Sequence, residues 1–218
     1  MTYFTHEQRY RDLARVAEQA ITICGAGALG ANLAETLARM GLRRLRVVDR
    51  DRVEARNLST QPWTQQDVGA PKARVLAGAL YRAVGARVDA QHAELAPANA
   101  LQLLEGSAVV VDAFDNLPSR ALVGRTADAL GTPCLHIALG PEGDYGCGLW
   151  DGAYRTHDRR EGTGDAQPPA EDTCDYPLTR PLAMLVASAA AEVLACHLLD
   201  GSRRGFELTL RDLRLTSR

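Results

Sequence analysis

Ile21-Thr22-Ile23-Cys24-Gly25-Ala26-Gly27-Ala28-Leu29-Gly30 is the stretch on which the reading of this chain turns. A brief apolar run stops at three glycines spaced G-x-G-x-x-G. Gly30 then opens ANLAETLARMG, where Leu33, Leu37 and Met40 recur at helical spacing and Gly41 supplies a stop. The pattern predicts a buried parallel strand, a tight turn and a helix. In such a unit the first glycine permits the turn, the second lets a phosphate approach the backbone, and the third packs helix on strand. The phosphate rests on the amides of the helix N-terminus. Leu45 to Asp49 reads as the next strand, with Asp49 placed at its end to accept both ribose hydroxyls. Nucleotide binding follows; the glycine pattern alone does not separate ATP from a dinucleotide.

Outward from this unit, strand and helix take turns. Helices are expected over about Pro71–Val84, Ala98–Leu104 and Pro118–Leu130, and strands near Arg87–Ala90, Ala108–Val111 and Cys134–Ala138. Upstream, His6 to Glu18 reads as one short charged helix. The alternation predicts an α/β, Rossmann-like fold, a mostly parallel sheet with helices on both faces. Beyond Ala138 the character changes: Tyr145–Trp150 suits a strand, while 151–174 is rich in Gly, Pro and charge and reads as a mobile loop. An Ala-rich helix, Leu182–Leu199, and two short strands around Phe206–Leu215 close the chain as a short antiparallel extension.

The chain has 218 residues, enough for one well-buried α/β domain. A net charge of −2 gives no broad basic face, so nucleic acid is not an expected partner. The segment Met1–Arg11 is charged from the start and does not read as a signal peptide. The apolar stretch Pro181–Leu199 is interrupted by Ser188, Glu192 and His197 and reads as a buried helix rather than a membrane span. The five cysteines, at 24, 134, 147, 174 and 196, have no metal-finger spacing and an odd count, which points to reduced thiols in the cytoplasm.

The polar residues after Asp49 choose between ligands. DRDRVEARNLSTQ, then VGAPK, then VVDAFDN carry groups that hydride transfer does not need and that a triphosphate does. Charge at a reacting triphosphate must be neutralised by cations and a metal. Lys72 can meet a phosphate as a point charge. Asp115 can hold Mg²⁺ through one carboxylate.

With these motifs in this order the chain resembles the ThiF/MoeB/HesA group, the bacterial relatives of ubiquitin-activating enzymes, from about Arg9 to Leu213. The resemblance implies a single adenylation domain over 1–218, with 151–174 as a crossover loop. It implies adenylation by ATP of the C-terminal glycine carboxylate of a small ubiquitin-like or sulfur-carrier protein ending in Gly-Gly. Gly25, Gly27 and Gly30 would form the nucleotide loop and Asp49 would bind ribose. Asn57 and Lys72 would contact phosphates, Asp51 and Gln61 would support them, and Asp115 would bind Mg²⁺. Cys174 falls where relatives place a reactive cysteine, which makes it a candidate acceptor of the activated acyl group. The resemblance also implies a homodimer, with Arg9 or Arg11 either as the arginine that reaches the partner's nucleotide or as part of a solvated helix face. Three departures matter, the first being an N-terminal segment shorter than the family's. Thr60 stands where the family usually has a phosphate-neutralising arginine, for which Arg52 or Arg56 could substitute. The paired cysteines of a structural zinc are missing, so no such zinc is expected. Other readings remain open: adenylation of a peptide carboxylate or a tRNA base amide, or a non-catalytic nucleotide-binding subunit.

Overall fold

The computed structural model describes residues 3–151 and 177–218. Among these, one sheet is built from β1 (Ala20–Cys24), β2 (Arg44–Val48), β3 (Asp89–Gln91), β4 (Val109–Asp112), β5 (Cys134–Leu139), β6 (Tyr145–Trp150), β7 (Phe206–Thr209) and β8 (Arg214–Ser217). The order across it is β3-β2-β1-β4-β5-β6-β7-β8. Strands β1 to β5 run parallel, and β6, β7 and β8 add on antiparallel. The helices are α1 (Thr5–Tyr10), α2 (Leu13–Val16), α3 (Gly30–Arg39), α4 (Lys72–Val84), α5 (Ala100–Leu104), α6 (Leu117–Leu130) and α7 (Arg180–Asp200). Short 3-10 turns occupy Ala55–Ser59 and Gln65–Asp67.

Side chains alternate between the faces of a strand, so a sheet covered on both sides needs nearly unbroken apolar strands. Val109 and Val111 join Ile21, Ile23, Leu135 and Ile137 in the larger core, under α3, α4 and α7. Val110 turns the other way, to Cys24, Val48 and Cys134 under α5 and α6. Helix α7 is long and apolar enough to cross a membrane by length and composition. Its residues Leu182, Ala183, Val186, Ala187, Ala190, Ala191, Leu194 and Ala195 are buried, packed on α3 and β6.

Several boundaries shift by a residue or two from the sequence reading, and two of the differences have a visible cause. The single helix expected over His6–Glu18 is two, because Arg11 turns extended and Asp12 accepts a hydrogen bond from the Ala14 amide, capping α2. Strand β3 begins at Asp89 rather than Arg87. There Arg46 and Asp89 are cross-strand partners and form a 2.7 Å ion pair, a polar edge that apolar patterning does not reveal.

From β1 the chain runs outward through β2 to β3, then returns to place β4 on the other side of β1. In open α/β sheets the crevice at such a reversal, beyond the carboxyl ends of the strands, is where ligands bind.

Candidate active site

The site grows from that reversal. Cys24 and Asp112, the last residues of β1 and β4, are register partners, so the turns that follow them lie side by side. Gly25 has φ +102, and a Cβ there would stand 3.0 Å from the Ala113 carbonyl oxygen. Only glycine combines that backbone with that contact. At Gly30 a Cβ would be 1.9 Å from the Gly25 oxygen, whereas at Gly27 it would meet nothing within 4 Å. Gly30 therefore closes the turn, and Gly27 leaves room above it.

Asp49 braces this loop. Its carboxylate is buried and accepts from the amides of Ala26 and Asp51, both at 2.6 Å. Burial pushes its carboxyl above the usual carboxylate range, while the two amides and Lys72 pull in the opposite direction. Both oxygens thus serve the protein before any ribose arrives, each retaining a second lone pair.

The 3-10 turn Ala55–Ser59 carries Asn57 to the cleft. Asn57 Oδ1 accepts from the Glu54 amide at 2.9 Å, so what it offers a ligand is its amide nitrogen. Gln61 is buried and its Oε1 accepts from Trp63 Nε1 at 2.7 Å; its oxygen fastens the loop. Lys72 starts α4 and is buried, with Nζ 3.3 Å from Asp51 Oδ2. A solvated surface lysine is thereby excluded.

Asp115 sits exposed in the turn between β4 and α6. It is not the helix cap: Asn116 is, its Oδ1 accepting from the Ser119 amide at 3.0 Å. Gly25, Gly27, Asp49, Asp51, Asn57, Gln61, Lys72 and Asp115 all line one cleft of about 590 Å³. Gly30 lies beneath it, in the packing role. Cys174 lies outside the described residues. Cys24, Cys134 and Cys147 are buried and Cys196 is half-buried.

The cleft carboxylates are not equivalent. Asp49 holds amides, Asp51 holds Lys72, Glu54 holds Arg56 and Glu94 holds Arg50. Asp115 has no hydrogen-bond or ion-pair partner among the described residues. A magnesium ion bound to a nucleotide takes one or two carboxylates and otherwise phosphate and water, and Asp115 fits that donor set. No group of three or more His, Cys, Asp or Glu gathers for a metal among the described residues.

Thr60 is buried at the cleft. Of the two substitutes for an arginine there, Arg56 lines the cleft and Arg52 turns away to the Gly69 carbonyl at 2.7 Å. Arg11 is held by Glu7 and Glu192, both at 2.9 Å, while Arg9 is exposed.

Three residues escaped the sequence reading: Asp112, Arg120 and His136, a buried charged group under the cleft. Their signal was a polar residue inside an apolar strand, Asp112 after three valines and His136 between Leu135 and Ile137. Such residues require partners.

These features define a Rossmann-like α/β domain whose turns at β1 and β4 frame the cleft. The ThiF family profile matches residues 4–211, and the chain belongs to that family. It is 40% identical over 127 residues to a sulfur carrier protein adenylyltransferase of Thermus thermophilus, covering 57% of this chain and 47% of that protein. It is 38% identical over 128 residues to a SAMP-activating enzyme E1 of Haloferax volcanii, with the same two shares. The chain spans about half the length of these curated relatives. The structure of E. coli MccB with ATP matches 98% of this chain and 68% of that one, at a TM-score of 0.73 and 16% identity, a likeness of fold.

Proposed function

We propose that the protein is an ATP-dependent adenylyltransferase that activates the C-terminal glycine carboxylate of a small ubiquitin-like or sulfur-carrier protein. The observation that carries this reading is that Lys72 and Asp115 open on one cleft, with the glycine turn between β1 and α3 in the same wall. In the reaction a carboxylate oxygen attacks the α-phosphorus, the bond to the bridging oxygen breaks, and pyrophosphate leaves. The glycine-turn amides hold phosphate, Lys72 and the Asn57 amide meet the developing charge, and Asp49 orients the ribose. Asp115 would hold Mg²⁺, and the ion when bound would supply charge neutralisation at the triphosphate. The names of the sulfur-carrier and SAMP-activating relatives support this carrier class. The reading includes a homodimer in the cytoplasm, in which Arg9 is the arginine of α1 left to reach across.

The test is pyrophosphate exchange with ATP, with and without a small protein ending in Gly-Gly. Exchange should require the carrier and vanish when its last two glycines are removed. Exchange that a peptide supports and the carrier does not would move the substrate to peptides; none with any carboxylate would end the proposal.

Arg56 takes the place of the cation missing at Thr60. Arg56 lies in the 3-10 turn that Thr60 terminates, and both line the cleft. Arg56→Ala should raise the KM for ATP about tenfold, the worth of one charge-assisted hydrogen bond. Arg52→Ala should leave it unchanged. Equal kinetics in the two variants would remove Arg56 from the site.

A further inference from the structure

A buried charged group beneath the cleft takes no direct part in the chemistry above. Asp112 and His136 face each other in register across β4 and β5, with His136 Nδ1 2.8 Å from Asp112 Oδ2. Arg120, on the first turns of α6, brings Nη1 within 3.7 Å of the same carboxylate oxygen. Asp112 is fully buried, and the other two side chains are nearly so. Charges in such surroundings persist only when paired and hydrogen-bonded.

What the group holds is the pair of peptide units on either side of Phe114. Asp112 Oδ1 accepts from the Phe114 amide at 3.1 Å, and Arg120 Nε donates to the Phe114 carbonyl at 2.6 Å. Arg120 Nη2 also donates to the Ile137 carbonyl, tying the turn to β5. On the neighbouring side, the Ala113 amide donates to Cys24 O at 2.9 Å. The residue that follows Phe114 is Asp115, whose carboxylate is unpartnered among the described residues. Its backbone is therefore fixed from below while its side chain stays open to the cleft.

We propose that Asp112, His136 and Arg120 are positioning residues, a buried brace that presets the turn 113–116 so that Asp115 meets a nucleotide-bound divalent cation without first being ordered. The inference deepens the adenylation reading and rests on it. The fork of Arg120 is the critical element, because a planar guanidinium alone can serve Asp112, Phe114 O and Ile137 O together. Loss of a residue that orients a metal ligand costs about 10–100-fold in metal affinity.

The test uses the full chain, Mn²⁺ as a paramagnetic probe, and a non-hydrolysable ATP analogue. Arg120→Lys keeps the charge beside Asp112 but loses the fork, and Arg120→Met loses both. Mn²⁺ binding to the protein–analogue complex should weaken at least about tenfold in Arg120→Lys, while AMP affinity stays within about twofold of wild type. A merely structural residue would lower the melting temperature and both affinities together. A folded Arg120→Lys with wild-type Mn²⁺ affinity overturns the brace. Wild type that binds neither AMP nor the Mn²⁺–analogue pair overturns the adenylation reading, and the brace with it. Should the variants not fold, hydrogen exchange on wild type decides. The Phe114 amide should exchange slowly without nucleotide and no more slowly with it; fast exchange that becomes slow on adding nucleotide shows a turn ordered by ligand and refutes presetting.

Discussion

Asp115→Ala is expected to lower carrier-dependent pyrophosphate exchange by about 10²–10³-fold, the cost of removing one preorganised electrostatic contact at a reacting centre. It should do so without touching stability. The side chain is exposed and pairs with nothing among the described residues, so its truncation strands no partner. The loss has no local substitute, because every other carboxylate at the cleft already holds an amide or a cation. Melting curves and exchange rates measured side by side check both halves. Turnover near that of wild type would remove Asp115 from the mechanism, and a large drop in melting temperature would recast it as structural.

The second large effect separates two glycines that look alike in the motif. A methyl group at Gly30 would lie 1.9 Å from the Gly25 carbonyl oxygen, so Gly30→Ala must displace the turn itself. A cost of about 1–3 kcal/mol or more in stability is expected, with loss of measurable ATP binding. A methyl group at Gly27 meets nothing within 4 Å, and its φ is not in the left-handed region. Gly27→Ala should therefore melt like wild type. It nevertheless fills space that the phosphates would occupy, and ATP affinity should fall at least about tenfold. Calorimetric titration with ATP and thermal melts on both variants give the comparison. Identical behaviour would show that the loop does not divide its labour this way.

Much of the fold was readable because a parallel sheet covered on both faces writes itself as short apolar runs. ITIC, RVV and VVV announce β1, β2 and β4 with no help from context. The turn residues of the site were readable for a related reason. Gly25 and Asp49 directly follow β1 and β2, Gly30 heads α3 and Asp115 lies in the turn after β4, positions where turn geometry narrows the choice of residue. The misses are contacts that spacing does not encode. Asp112 lies 24 residues from His136 and bonds it at 2.8 Å, a pairing set by which strands become neighbours rather than by anything near either residue. Arg120 looked like any polar residue of a helix, yet it is buried against two carbonyls of other segments. Gln61 fits the motif and lines the cleft, but its oxygen is spent on Trp63. Asp12 read as part of a helical face and is instead a cap, since the same residue type suits both and only the backbone at Arg11 decides between them.

The two ends that flank residues 152–176 are anchored separately. Asp151 accepts from the Cys134 amide at 2.8 Å and meets Arg203 at 2.6 Å, while the start of α7 is seated by Thr179, whose hydroxyl accepts from the Leu182 amide, and by the alanine-lined face packed on α3. Closure cost grows only slowly with the number of residues joined, so a change in the number of residues between these two anchors would cost the sheet and α7 little.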